Sequence, residues 1–148
     1  MIGVKSTGVA GHRFETPDGG IGIELLTHGA VAKGEVYQMN MNNSTTNPFI
    51  TKAVATAAYP EKVVVALEAI ASGAVGCFQL FGICDAFCEG TTDIAAGDYL
   101  QVTNTLAYFT TESTTKSVYS SAMALEAYTV AAAALKKVIL LDVPTQTA

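Results

Sequence analysis

Two segments of the chain follow one pattern: Ala32-Lys33-Gly34-Glu35-Val36-Tyr37-Gln38-Met39 and Ala95-Ala96-Gly97-Asp98-Tyr99-Leu100-Gln101-Val102. Each passes from a small residue and a spacer into a Gly-acid pair, then through two apolar residues to Gln and a closing apolar residue. Glycine supplies the positive φ of a tight turn, and the acid beside it is tolerated there. The β-branched and aromatic residues that follow favour extended structure. Each segment therefore predicts a turn feeding a strand, with Gly34, Glu35, Gly97 and Asp98 as the turn residues. Their recurrence predicts a β scaffold with an internal two-fold repeat.

The 148 residues suit one domain with one sizeable core. Charged residues make up 14% of the chain, against about 25% in typical soluble domains, and hydrophobic residues 50%. Mean hydropathy is +0.36, to which the many alanines contribute. So little polar surface predicts that other subunits cover part of the apolar surface. The net charge is −5, and the eight Lys and Arg residues are scattered, with Lys136-Lys137 the one adjacent pair. No basic stripe is present for phosphate neutralisation, and no basic amphipathic helix for a membrane surface. Nucleic acid and membrane are thus excluded as expected partners. The N-terminal stretch has no apolar signal core and carries His12, Arg13, Glu15 and Asp18. The longest apolar stretches, Val63 to Val75 and Ala122 to Leu135, contain Glu68 and Glu126 and fall short of the roughly 20 residues that span a bilayer. A soluble chain made in a cytoplasm is expected.

Residues 1 to 20 read as an extended arm, because Gly3, Gly8, Gly11, Pro17, Gly19 and Gly20 oppose regular structure. Such an arm is disordered or orders against a partner. Residues 21 to 148 read as a single β-barrel domain. Its candidate strands begin with Ile21 to Leu25, Val36 to Met41 and Phe49 to Thr56. Lys62 to Ile70 follows, whose Val63-Val64-Val65 run suits a strand buried on two sides. Val75 to Ile83 is next, then a hairpin of Tyr99 to Thr105 with Leu106 to Thr111. Asn42 to Pro48 and Thr110 to Ser117 read as polar loops at solvent-facing tips. Residues 118 to 135 mix helix-favouring alanines with Val118, Tyr119, Tyr128, Thr129 and Val130. The preferred reading is a strand, a short Ala-rich turn and a last strand Val138 to Val143, with at most one short helix. Many short strands with frequent turns indicate an all-β barrel or sandwich.

No catalytic, cofactor-binding or metal-ligating residue is nominated. Cys77, Cys84 and Cys88 lack the paired spacing of a zinc site and read as small buried hydrophobes. A disulfide is not expected of an odd set in a cytoplasmic product. His12 lies in the arm and His28 in a Thr27-His28-Gly29 turn, with no nucleophile signature nearby. Glu24, Glu68 and Glu126 interrupt apolar segments. They are expected on an outward face or paired with Lys62, Lys136 or Lys137 across a subunit contact. Glycine-rich phosphate loops and calcium loops are absent, and without Trp the Ser/Thr clusters offer little platform for sugars.

The segment Val64 to Gln101 resembles the head decoration, or cement, proteins of tailed bacteriophages. The resemblance rests on Val65-Ala66-Leu67-Glu68-Ala69-Ile70-Ala71-Ser72-Gly73 and on Ile94-Ala95-Ala96-Gly97-Asp98-Tyr99-Leu100. Met123-Ala124-Leu125-Glu126-Ala127, leading to Lys137-Val138-Ile139-Leu140-Leu141, also looks like the end of such proteins. Ser120 and Ser121 stand where the family often has glycine. The resemblance implies a small β-barrel or β-tulip protein, commonly a homotrimer, on the outer surface of an expanded capsid in the virion. It would be made in the host cytoplasm and bind the major capsid protein at three-fold and quasi-three-fold positions. Its work would be mechanical, with no enzyme activity, cofactor or small-molecule substrate. On this reading Val4, Val9, His12, Arg13 and Phe14 of the arm are the candidate capsid contacts. A tail, neck or fibre component is the alternative assembly role, and a ligand-binding barrel a further one.

Overall fold

Alternating apolar residues set most of the strands of the computed structural model, which describes residues 6–39, 49–51, 62–102, 107–111 and 119–146. In chain order these are β1 (Arg13–Glu15), β2 (Gly20–Leu26), β3 (Val36–Gln38), β4 (Val63–Ala66) and β5 (Val75–Cys88), then β6 (Tyr99–Val102), β7 (Phe109–Thr111), β8 (Tyr119–Ala124) and β9 (Ala134–Gln146). The described residues contain no helix, and the alanines before β9 form a turn. The fold is all-β.

Five strands close a barrel: β5 pairs with β7, β7 with β6, β6 with β8, β8 with β9, and β9 with β5. The first half of the chain builds a second ring from β2, β5, β4 and β3. Ile50 bridges to Leu26 of β2 and Thr51 to Met39 beside β3, which joins the ends of that ring. β5 belongs to both units. Its first half pairs with β2, from Leu26↔Val75 to Gly20↔Gly82, and its second half pairs with β9, from Gly82↔Leu140 to Cys88↔Ala134. The sequence reading ended this strand at Ile83; it runs on because Cys84, Ala86 and Cys88 keep the alternation and fill the second core.

Each unit has its own core. Ile23, Leu25, Tyr37, Phe78 and Leu80 are central to the first, and Leu100, Val102, Phe109, Val138 and Leu140 to the second. β4 lies between them: Val64 and Ala66 join the first core while Val63 and Val65 join the second. The three-valine run is thus buried on both faces, as expected of it. The Lys62 to Ile70 strand is shorter than expected, because Leu67 to Ile70 turn the chain. The β6–β7 hairpin forms within the expected Tyr99 to Thr111 span, and β9 is longer than Val138 to Val143 at both ends. The Asn42 to Pro48 loop and residues 112–117 of the second loop lie outside the described residues. Thr110 and Thr111, expected at a loop tip, stand in β7.

The expected arm differs from its reading. Val4 and the rest of residues 1–5 lie outside the described residues, but Arg13–Glu15 forms β1 and pairs antiparallel with β2. Pro17 and the glycines build the connecting turn instead of a free arm. There the Thr16 N–H donates to Gly20 O and the Gly19 N–H to Thr16 O, both at 3.1 Å.

Two glycines face each other where β5 passes from one unit to the other. Gly20 has φ 150° and Gly82 φ 102°. A Cβ on Gly82 would lie 2.6 Å from Gly19 O, and one on Gly20 2.4 Å from Phe81 O. Just before them the register slips: Ile21 pairs with Phe81 but Gly22 with Gln79, so Leu80 is an extra residue that bends β5. Gly82→Ala is expected to destabilise the fold by about 2 kcal/mol or more, since it combines strained φ with a backbone clash. A urea titration of the variant checks this; an unchanged midpoint would contradict the account of the bend.

Candidate functional site

The two Gly-acid turns have the same construction. Gly34 has φ 89° and Gly97 φ 93°. The Glu35 N–H donates to Ala32 O at 3.2 Å, and the Asp98 N–H to Ala95 O at 3.1 Å. The acid side chain reaches back over the turn: Glu35 Oε1 accepts the Ala32 N–H, and Asp98 Oδ2 accepts the Ala95 N–H at 2.8 Å. Each glycine N–H then donates 2.8 Å to a strand carbonyl, Ala66 O for Gly34 and Ala124 O for Gly97. The carboxylate is therefore the acceptor that holds the turn closed, more than a tolerated polar residue.

A second repeated motif stands opposite these turns, and sequence reasoning did not align it. Ala66-Leu67-Glu68-Ala69 and Ala124-Leu125-Glu126-Ala127 agree at every position. Glu68 Oε2 accepts the Cys77 N–H and Glu126 Oε2 the Lys137 N–H, each at 3.0 Å. Lys136 Nζ adds an ion pair to Glu126 at 3.4 Å. These contacts lie within the chain; the expected pairing across a subunit boundary is not needed to place either carboxylate.

The units differ in what covers these turns. Over Gly34 lies Leu135, so close that a Cβ on the glycine would be 2.1 Å from Leu135 Cδ2, and the Phe87 N–H donates to Gly34 O at 2.8 Å. Val36 beside it is buried. A Cβ on Gly97 would meet nothing within 4 Å among the described residues, Tyr99 beside it is 43% exposed, and Leu125 on the adjoining turn is 40% exposed. An apolar face that is closed in the first unit is open in the second.

Glu24 corrects its expectation more sharply. On β2, where Ile23 and Leu25 enter the core, its side chain lies on the opposite face, yet it is fully buried. The N-terminal segment covers it. Its carboxylate accepts the Thr7 N–H at 2.8 Å, the Gly8 N–H at 3.1 Å and the Ser6 and Thr7 hydroxyls, and contacts His12 Nδ1 at 2.8 Å. Burial pushes its pKa up, but the hydrogen bonds from Ser6, Thr7 and Gly8 outweigh it and hold the carboxyl at about 2. The arm residues nominated as contacts thus divide. His12 rests on Glu24 and Phe14 lies over Gly22, whereas Val9 is 61% exposed and Arg13 is exposed. His12 keeps 43% of its side chain exposed beside its Glu24 contact, Phe14 is half-buried, and Val4 lies outside the described residues. Only a buried acid between apolar residues hinted at this clasp in the sequence.

The other candidates are structural in their contacts. Cys77, Cys84 and Cys88 are free and buried, and burial pushes each thiol up to about 12. His28 Nδ1 lies 2.7 Å from Thr51 Oγ1, edge-on to Tyr37. Burial lowers its pKa, opposed by the Glu35 charge. Burial and the Glu35 carboxylate, which accepts its hydroxyl at 3.1 Å, push Tyr37 up to about 12. A cleft of about 250 Å³ runs between the units, lined by Thr16, Asp18, Lys33, Gln79, Cys84 and Asp85. Lys137 Nζ stands 3.0 Å from Asp85 and 3.9 Å from Asp18. Among the described residues no three His, Cys, Asp or Glu side chains are gathered for a metal ion.

No protein-family model and no curated protein sequence matches the chain. Its fold is similar to the crystal structure of the head fiber gp8.5 N base in bacteriophage phi29, with a TM-score of 0.55 and 12% identity over 85% of this chain and 98% of that one. At that identity the likeness concerns the fold.

Two outcomes are expected at these residues. The Glu24 carboxyl is held lower in the folded chain than its ordinary value of 4.5, so the stability it contributes is present above pH 4.5 and is lost as the pH falls towards 2. The loss should reach about 3 kcal/mol, and Glu24→Gln should flatten that slope in urea titrations across the range. The three thiols should resist iodoacetamide at pH 8 in the folded chain and react on unfolding, read by mass spectrometry.

Proposed function

We propose that the chain is a structural component of a tailed-phage head, a decoration protein that binds the outer surface of the expanded shell. The observation that carries this reading is the fold likeness to a head fiber base, which spans 98% of that chain. It agrees with the short motifs that resemble cement proteins. The low charge and the open apolar face around Gly97 suit a molecule whose work is done by contacts. The role is mechanical: homotrimers seated at three-fold and quasi-three-fold positions tie neighbouring major capsid subunits together, and many weak contacts repeated by symmetry add to a firm hold. The protein is made in the host cytoplasm and resides on the virion. Val9 and Arg13, both exposed, would meet the shell, and Val4, which lies outside the described residues, is proposed as a further contact. His12 and Phe14 reach it when the N-terminal segment leaves β2.

The same likeness favours a second reading, the base of a fibre on the head. Both readings are tested by mixing the purified chain with expanded shells that lack surface proteins, followed by sedimentation and electron cryomicroscopy. Decoration expects saturable binding at the three-fold positions, weakened at least tenfold by Val9→Asp/Arg13→Glu. Density at a small subset of sites, as the foot of a longer projection, supports the fibre base. Absence of binding to expanded shells overturns both.

A further inference from the structure

The open face around Gly97 and the clasp on Glu24 are related through the internal repeat. In the second unit, the β5 edge at Phe87 receives the first unit's turn: the Phe87 N–H donates to Gly34 O at 2.8 Å. The matching position of β2 is Glu24, because the Leu26 N–H donates to Phe49 O as the Glu89 N–H donates to Phe109 O, each at 2.9 Å. At Glu24 the same donor is used in the same way: its N–H donates to His12 O at 2.8 Å. His12 therefore occupies on the first unit the place that Gly34 occupies on the second. The N-terminal segment caps a docking edge for which a Gly-acid turn is the internal occupant. The chain also presents one such turn, Ala95 to Asp98, with no other described residue upon its glycine, flanked by exposed Tyr99 and Leu125. Their counterparts in the first unit reach the second core: Val36 is part of it and Leu67 packs against it.

We infer that the Gly97 face docks on the β2 edge of a second copy of this chain, taking the place of that copy's N-terminal segment. This inference rests on the self-association within the proposed role and names its surfaces. A second copy is the occupant because the complementary edge exists in this chain, matched in backbone geometry to the contact already made between its own units. Such a contact is heterologous, head to tail, and closes into a ring when the rotation permits. In repeat architectures a capping segment of this kind hides an edge that another unit would otherwise fill. Docking also releases residues 6–12 from Glu24, which frees the His12 ring, already 43% exposed, from its carboxylate partner.

The test is solution mass by light scattering over a range of concentrations. Ser6→Ala/Thr7→Pro removes both hydroxyls and one N–H from the Glu24 clasp while leaving the barrels intact, which circular dichroism confirms. It is expected to tighten self-association at least tenfold. Adding Tyr99→Asp/Leu125→Asp on the open face should return the mass to the 15.4 kDa of one chain. Association that survives Tyr99→Asp/Leu125→Asp overturns the inference, in the clasp variant or in the natural sequence. So does a folded Ser6→Ala/Thr7→Pro chain that stays monomeric at every concentration. Shell binding measured in parallel keeps the two ideas apart. Association through this face without shell binding removes the decoration role alone, and shell binding by chains that never associate removes the docking face alone.

Discussion

β5 must satisfy two sets of neighbours along one backbone, and most of the architecture follows from how it does so. A straight strand presents alternate residues to one face, so it can line only one core on that side. Leu80 supplies the extra residue, and Gly82 against Gly20 the close backbone approach, that let the strand leave the first unit and enter the second. β2 and β9 then divide its length between them, meeting at Gly82. Neither core is large enough to suggest independence: Val36, Val63 and Val65, carried by the first unit, complete the second core. The two barrels are therefore one cooperative body, coupled through β4 and β5.

Carboxylates do unexpected work in a chain with so few charges. Glu35 and Asp98 close the Gly-acid turns, Glu68 and Glu126 cap the opposite turns, and Glu24 gathers the N-terminal segment. In each case the acceptor oxygens meet main-chain N–H groups that a turn or an edge would leave without a partner. At Glu24 and Glu68, whose contacts are partly buried, leaving the N–H unpaired would also cost its desolvation, whereas the exposed turns gain only the modest net value of the bond. With Glu89, which accepts the Thr91 N–H, at least six of the chain's thirteen acidic residues are thus structural acceptors, which makes the acidic balance a poor guide to a charged partner.

Some of this was legible in the sequence. The all-β class, the Gly-acid turns, the β6–β7 hairpin and the double burial of Val63 to Val65 follow from periodicity and turn chemistry, which are local signals. The Ala-Leu-Glu-Ala repeat was equally local; aligned with the Gly-acid turns, it would have fixed both halves of each unit. The clasp was not legible, since Glu24 meets partners up to 18 residues away and its burial depends on a glycine-rich segment with no periodicity. That segment read as an arm for the same reason. β1 is three residues long, and pairing with β2, more than propensity, makes it a strand. The reading of β5 passed through Gly82 and stopped at Ile83, short of Cys84, Ala86 and Cys88, whose pairing with β9 lies beyond the bend.

The internal repeat leaves its two units unlike. Among the described residues, the first unit has an edge covered by residues 6–12, and the second a turn, Ala95 to Asp98, that no other residue covers. The edge is covered at the cost of burying a carboxylate, which demands five hydrogen-bonding contacts from residues 6 to 12 to keep it charged. A hydrophobic residue would cover the same edge at less expense, as Phe87 shows at the matching position of the second unit. A cap that needed only to stay in place would use that solution. A carboxylate held by hydroxyls, N–H groups and an imidazole is a cover whose contacts water can replace when the segment lifts, since each of those groups is well hydrated when released. The chemistry of Glu24 therefore favours a cover made to exchange, and the Gly97 turn of the second unit, uncovered among the described residues, has the backbone geometry that would replace it.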